Sequence, residues 1–174
     1  MISIFIEGEP KAQPRPRAFS RKTATAIITR MYDPGTSDGW KGCVMRALKD
    51  YANREIAGAV RIDLSFFMPR PKYMMTKKFP DHELWHTKKP DRDNLEKAVL
   101  DALKDIKVLS DDCIVCDGRL RKYVVRKGGK IGAHLTLTTL AEIEDYVSYE
   151  ESLSKALVEW CGICESPHRE CRCD

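Results

Sequence analysis

Two periodicities predict an α+β fold with a small β-sheet. Runs in which apolar and polar residues alternate are typical of strands, and longer runs with apolar residues every three or four positions are typical of amphipathic helices. The alternating runs lie at 2–7, 60–66 and 131–140. The helical runs lie at 37–56, 92–107 and 141–160, and a cysteine-rich tail follows. A chain of 174 residues with this order of elements is expected to form one domain with an appended C-terminal part.

The charge distribution indicates a polyanionic substrate more clearly than the net charge does. The formal net charge is only +4, but the basic residues gather at 11–30 and 119–127, while the acids gather at 91–117 and 142–151. Basic segments on either side of an acidic centre suit a phosphate-rich partner. Two ordinary solvated surfaces would produce the same pattern, so charge alone leaves both interpretations open.

The sequence also predicts the compartment. No apolar run reaches the length of a membrane span, and Met1 to Pro10 lacks the basic residues that begin a signal peptide. We therefore expect a cytoplasmic protein. The chain has seven cysteines, and in such a reducing compartment the clustered ones are expected to be metal ligands rather than disulfides.

Four segments carry further structural expectations. The Pro- and Arg-rich stretch at 11–30 suits an extended arm along a phosphate backbone and a plain surface loop equally well. Residues 70–90 are expected to be a long functional or mobile linker. Residues 113–116 are expected to form a short strand. The runs at 120–126 and 131–140 are expected to pair as a hairpin that turns at Gly128 and Gly129.

The helix predicted at 92–107 has an unusual polar face. Pro90 marks its start, and Asp91 and Asp93 lie where free backbone N–H groups favour acids. Asp93, Lys97 and Asp101 are spaced four apart and share one side. A solvated face with ion pairs is the plain interpretation. The further acids Asp111 and Asp112 favour a cation site, because crowded carboxylates repel one another unless a cation or proton lies between them.

These residues carry a resemblance to the RusA family of Holliday junction resolvases. The similarity lies in Lys-Pro-Asp-x-Asp-Asn-Leu-x-Lys at 89–97, Asp-Ala-Leu at 101–103, Asp-Asp-x-x-Val at 111–115 and the basic residue Lys122. Pro-Lys-Ala-Gln-Pro-Arg-Pro-Arg at 10–17 and Tyr-Asp-Pro at 32–34 resemble the phage branch of the family. The resemblance covers roughly residues 1–140.

The resemblance implies a fold, a site and an assembly. It implies a small mixed β-sheet packed with helices, Mg²⁺ as the cofactor (with Mn²⁺ as a substitute), and a homodimer that acts on four-way or branched DNA. It assigns Asp91, Asp93 and Asp112 as catalytic metal ligands, Lys97 as the catalytic lysine, and Asn94, Asp101 and Asp111 as supporting residues. The basic segments make the following residues candidates for DNA binding: Lys11, Arg15, Arg17, Arg119 and Lys122.

The C-terminal tail predicts a separate metal site. Cys161 and Cys164 form a C-x-x-C pair, which is half of a common structural zinc site. His168 with Cys171 or Cys173 could complete it, in a spacing similar to that of a zinc knuckle. A frayed tail without metal is the alternative.

The sequence thus predicts three parts: a nuclease domain at 1–140, a helical extension at 141–160 and the tail at 161–174. The leading function is a Mg²⁺-dependent endonuclease that resolves branched DNA in recombination, repair or phage DNA processing. One alternative is a non-catalytic DNA-binding protein that uses the basic arm and the tail. Another is a phosphohydrolase of smaller substrates, which the absence of a Gly-rich phosphate loop disfavours.

Overall fold

A computed structural model describes residues 1–22 and 26–142 and has the predicted α+β architecture, a mixed β-sheet with two α-helices. The strands and helices in chain order are β1 (Ile2–Glu7), β2 (Arg17–Lys22), β3 (Ile27–Tyr32), α1 (Asp38–Ala47), β4 (Val60–Met68), β5 (Leu84–Trp85), α2 (Arg92–Asp105), β6 (Val115–Asp117), β7 (Leu120–Val124) and β8 (Gly132–Thr139).

The main sheet has six strands, five of them in the order β1-β8-β4-β7-β5, with β6 beside the start of β4. The strand β1 runs antiparallel to β8, and β5 runs antiparallel to β7. The strand β4 runs parallel to both β6 and β7. The predicted hairpin of 120–126 with 131–140 is wrong, because β4 lies between β7 and β8. An alternating pattern specifies which face of a strand is buried, but it does not specify the neighbouring strand.

The helices cover one face of this sheet, and the core lies between them. Along β4, Val60, Ile62, Leu64, Phe66 and Met68 are all buried, as the alternation predicts. The predicted apolar face of α2 is buried from Leu95 to Leu103, and Trp40 and Val44 are the buried residues of α1. The opposite face of the sheet carries no helix within the described residues.

Helix α1 is shorter than the predicted run at 37–56. It ends at Ala47, and a 3₁₀ turn over Lys49–Tyr51 follows. The chain then turns towards the end of α2, where the backbone N–H of Ile56 donates to the carbonyl of Val108 at 3.0 Å. These tertiary hydrogen bonds replace the helical ones that the local sequence favours.

The basic stretch at 11–30 contains a two-stranded ribbon. The strands β2 and β3 pair antiparallel from Arg17 with Tyr32 to Lys22 with Ile27, and every residue of both strands is exposed. The surface-loop interpretation is therefore wrong for these residues, and the extended arm is doubled back on itself.

The predicted linker at 70–90 has a defined structure. It contains a 3₁₀ turn at Lys72–Met75 and the short edge strand β5. The Arg70 guanidinium donates to the carbonyl of Pro80 at 2.7 Å, and the Lys127 ammonium donates to that of Phe79 at 2.9 Å. Two buried or half-buried cations therefore hold this segment against the sheet.

Residues Met1–Thr138 form one compact unit, and a second unit begins at Thr139. Of the second unit, the structure describes a 3₁₀ turn at Leu140–Glu142. The rest of the helix predicted at 141–160, and the tail at 161–174, lie outside the described residues. No helix in the described ranges is long and apolar enough to cross a membrane.

Candidate active site

The start of α2 is held against β7 by two basic side chains. The Lys122 ammonium donates to the carbonyls of Lys88 and Pro90, each at 2.6 Å. The Arg92 guanidinium donates to the carbonyl of Leu120 at 3.2 Å. Hydrogen bonds from a cation to a carbonyl are stronger than those between neutral groups. The chain that leads into Asp91 is therefore fixed to the sheet.

Asp91 and Asp93 lie at this anchored helix start with exposed side chains. Asp91 is the N-cap residue, and its carbonyl accepts from the backbone N–H of Leu95 at 3.2 Å. Its side chain makes no capping hydrogen bond. The carboxylate oxygens of Asp91 therefore accept no capping hydrogen bond from the helix, and they lie near the positive end of the helix dipole.

A groove of about 620 Å³ opens beside Asp91. Its lining includes Arg15, Arg17, Lys89, Asp91 and Asn94. The groove therefore places three cations along one surface, two from the basic arm and one from residues 86–91, the predicted catalytic loop.

Gln13 joins the basic arm to helix α2. Its backbone N–H donates to the carbonyl of Asn94 at 2.8 Å, and its side-chain amide donates to Asp33 Oδ2 at 2.8 Å. Its amide oxygen accepts from the Ser37 hydroxyl at 2.9 Å. Gln13 and Asp33 belong to the two N-terminal motifs of the resemblance, and the structure shows that these motifs hold each other.

Lys97 and Asp101 have different surroundings, although they share one face of α2. Asp101 pairs with Lys41 of α1 at 3.1 Å in a largely buried position. Lys97 is exposed, and no ion pair or hydrogen bond of its side chain occurs within the described ranges. Asp101 therefore joins the two helices, while the Lys97 ammonium is available to a ligand.

Asp111 and Asp112 pair with Lys104 near the C-terminal end of α2. The Lys104 ammonium lies 3.4 Å from Asp111 Oδ1 and 3.6 Å from Asp112 Oδ1. The backbone N–H of Asp112 donates to Asp111 Oδ1 at 2.7 Å. Hydrogen bonds from Asp112 and Lys104 lower the pKa of Asp111. Partial burial acts against the ammonium of Lys104, but the bond to Asp111 and the charge of Asp112 raise its pKa overall.

The predicted Mg²⁺ ligands are only partly together in this arrangement. At 1.5 Å per residue, Lys104 lies roughly 16 Å along the helix axis from Asp93. No group of three His, Cys, Asp or Glu side chains in the described part of the chain is close enough to hold one metal ion. Asp91 and Asp93 fit Mg²⁺ by their chemistry, because this ion takes one or two carboxylates and keeps several waters. Asp112 instead forms an ion pair with Lys104.

The remaining predicted residues have varied surroundings. Lys11 is exposed and pairs with Glu9. Arg119 is exposed, and its backbone N–H donates to Asp63 Oδ1 at 2.7 Å. Lys122 is half-buried against the catalytic loop. The candidate zinc ligands Cys161, Cys164, His168, Cys171 and Cys173 lie outside the described residues.

Sequence reasoning missed Gln13, Lys41 and Lys104, which hold the site together. The only signal for Gln13 was its place in the N-terminal motif. Lys41 and Lys104 carry no local signal, because each acts on a residue that only the fold brings near it.

Exposed carboxylates at an anchored helix start, beside a groove lined by arginines, suit a protein that handles a phosphate backbone. The family model for the endodeoxyribonuclease RusA matches residues 7–136, and the chain belongs to this family. It is thereby an endodeoxyribonuclease, a hydrolase of phosphodiester bonds in DNA. The chain is also similar to the uncharacterized protein YqaN of Bacillus subtilis (strain 168). The two are 32% identical over 128 residues, which cover 70% of this chain and 87% of that protein.

Proposed function

We propose that the protein is a Mg²⁺-dependent endonuclease that cuts four-way and other branched DNA as a homodimer, in recombination, repair or phage DNA processing. The observation that carries this proposal is that Asp91 lines one groove with Arg15 and Arg17, at a helix start that also bears Asp93. Family membership supports the same substrate class.

The two exposed carboxylates require a bound metal ion if a phosphate backbone is to approach them. Exposed carboxylates at the helix start repel a phosphate backbone unless a positive ion lies between them. In a protein that only bound DNA, these two acids would lower the affinity for DNA. Paired acids beside arginines therefore favour the nuclease over the non-catalytic binder.

Each side chain has a proposed role. Asp91 and Asp93 would hold the ion, and Asp112 would join them only by leaving Lys104, whose ammonium lies 3.6 Å from it. Bound Mg²⁺ supplies Lewis-acid stabilisation and an activated water. Arg15 and Arg17 bind the backbone phosphates and orient the strand. Lys97 stands one turn along α2 from Asp93, where its charge stabilises the phosphate as negative charge develops.

Cleavage of a synthetic four-way junction tests the proposal. We expect cutting by the wild-type protein in Mg²⁺, none in EDTA, and a loss of at least about a hundredfold in Asp93→Asn. Asp105→Asn is the matched control, because Asp105 is an exposed acid at the other end of the same helix. Its rate should equal that of the wild type.

Two outcomes would change the proposal. Junction binding without cutting in either Mg²⁺ or Mn²⁺ would favour the non-catalytic binder. Equal cutting of duplex and junction would keep the nuclease but remove the selectivity for branched DNA.

A further inference from the structure

The face of the sheet opposite the helices carries a row of aromatic rings that the proposed chemistry does not use. The row is built from Trp85, Tyr123, Phe67 and Phe5, one from each of four strands. The ring centroids are 4.7 Å apart for Trp85 with Tyr123, 5.7 Å for Tyr123 with Phe67 and 6.1 Å for Phe67 with Phe5. The first two pairs are stacked, so the row is a continuous array across the sheet from β5 to β1.

The sheet geometry positions this row. Trp85 and Tyr123 are direct partners across β5 and β7, and Phe67 and Tyr123 are partners across β4 and β7. Phe5 reaches Phe67 over the intervening strand β8 because Gly132 leaves room for its ring. A Cβ atom on Gly132 would lie 2.9 Å from Cζ of Phe5. The array is therefore held in one arrangement by the backbone.

Trp85 ends the array with a free surface. One face of its indole lies on Tyr123, yet 67% of the residue is exposed. Its strand β5 is the last on that side of the sheet. A large apolar ring that is fixed on one face and exposed on the other is suited to stack one more flat group.

The charges around Trp85 suit a polyanion. Arg121 lies two residues before Tyr123 on the same face of β7 and is exposed. The nearby acid Glu83 is balanced by Arg126 at 4.0 Å. The segment that includes β5 also carries exposed Lys77, Lys78 and Lys88. A second copy of this cationic surface would be repelled, whereas a nucleic acid strand would be attracted.

The same strand, β7, fixes both this ring and the catalytic loop. On the helix side of β7, Lys122 donates to the carbonyls of Lys88 and Pro90. The next residue, Tyr123, lies on the other side of the strand, and its ring stacks on Trp85. Only five residues lie between Trp85 and Asp91. A base on Trp85 would therefore be held at a set position relative to the strand that Asp91 and Asp93 engage.

We propose that Trp85 stacks on an unpaired nucleobase of the DNA substrate and so selects DNA with an open branch point over continuous duplex. This inference rests on the proposed function, because the base belongs to the branched DNA that the proposed active site cuts. A base that is stacked within a continuous duplex cannot reach the indole, whereas a base at a branch point can leave its stack.

Binding of labelled oligothymidylate in EDTA tests the inference without any cleavage. Loss of one base–aromatic stack should weaken binding by at least about fivefold in Trp85→Ala. Trp85→Phe should retain most of the affinity, and binding to a duplex of equal length should not change. Tyr73→Ala is the matched control, since Tyr73 is an exposed aromatic residue of the same segment whose ring meets Phe79 edge to face and is not part of the row. This variant should bind oligothymidylate as the wild type does.

Tryptophan fluorescence supplies a second measurement. Stacking on a base should quench the wild-type emission when oligothymidylate is added, and this change should be lost in Trp85→Phe. Trp40 is buried and should not respond, and Trp160 is present in both proteins, so the difference between their responses reports on Trp85. Because Trp85→Phe keeps a stacked ring, it also covers the case in which Trp85→Ala does not fold.

Three results would overturn the inference: unchanged binding of oligothymidylate, equal loss for duplex, or conversion of a dimer to a monomer by Trp85→Ala in sedimentation. The last would identify the row as an interface between copies. A different result would contradict the nuclease proposal. A wild-type protein that binds oligothymidylate through Trp85 but cuts no junction would keep the stacking site and remove the nuclease.

Discussion

At the scale of single residues, the site contains lysines with three different roles. Lys41 and Lys104 each neutralise acids of the motif, at 3.1 Å from Asp101 and 3.4 Å from Asp111. Lys122 holds the backbone of the catalytic loop. Lys97 alone among these four has no such partner within the described residues. The functional prediction for Lys97 therefore follows from its surroundings as well as from the motif.

Replacement of Lys97 by Met separates a chemical from a structural role. If the ammonium stabilises charge on the phosphate, junction cleavage should fall by about a hundredfold or more. Junction affinity and melting temperature should stay near the wild-type values. Lys49→Met, a change at an exposed lysine after α1, serves as the control. A variant that melts early and cuts in proportion to its folded fraction would contradict the chemical role.

Lys122→Met tests whether this lysine positions the loop or contacts DNA. Loss of its two bonds at 2.6 Å should free the chain at Lys88 to Pro90 even without substrate. We expect faster trypsin cleavage after Lys88 in the free protein and slower junction cutting. A DNA contact would instead weaken binding and lower its salt dependence, with an unchanged trypsin pattern.

At the scale of elements, α2 combines a buried face with an acidic start, and this combination affects its stability. Burial raises the pKa of Glu96, the charge of Arg92 opposes this, and Asp93 adds to it. The folded protein therefore holds a proton at Glu96 more tightly than the unfolded chain does. This group's contribution to stability is present below its ordinary value of 4.5 and is lost as the pH rises above it.

Glu96→Gln should accordingly raise the melting temperature at neutral pH and leave it unchanged below pH 4.5. The gain should be small, because the side chain is only half-buried. Thermal unfolding at a series of pH values measures it. Glu55→Gln, at an exposed glutamate, should show no such dependence on pH. A gain that is constant across the pH range would point to helix propensity instead of the carboxyl charge.

At the scale of the whole molecule, one chain supplies one candidate active site, whereas resolution of a junction requires two opposed cuts. We therefore expect a dimer with twice the 19.9 kDa mass of the chain in sedimentation. Mixed dimers of wild-type and Asp93→Asn subunits should nick one strand of a junction and leave the other intact. A monomer that makes both cuts would contradict this expectation.

The sequence by itself determined the acidic helix. The spacing of Leu95, Ala98, Val99, Ala102 and Leu103 specifies a buried face, and the structure confirms all five as buried. The positions of Asp91 and Asp93 at the start of that helix followed from the same spacing and from Pro90. These features are local, because a helix makes its hydrogen bonds within a few residues and its period is a property of the chain itself.

Only the tertiary structure decided which distant parts meet. It placed β4 between β7 and β8 and folded residues 17–32 into a ribbon. It also set Asp112 beside Lys104 and aligned Trp85 with Tyr123 at the edge of the sheet. A strand's alternation is compatible with many neighbours, and the choice among them depends on how all the apolar faces are buried together. That choice is global, so no short motif could have predicted it.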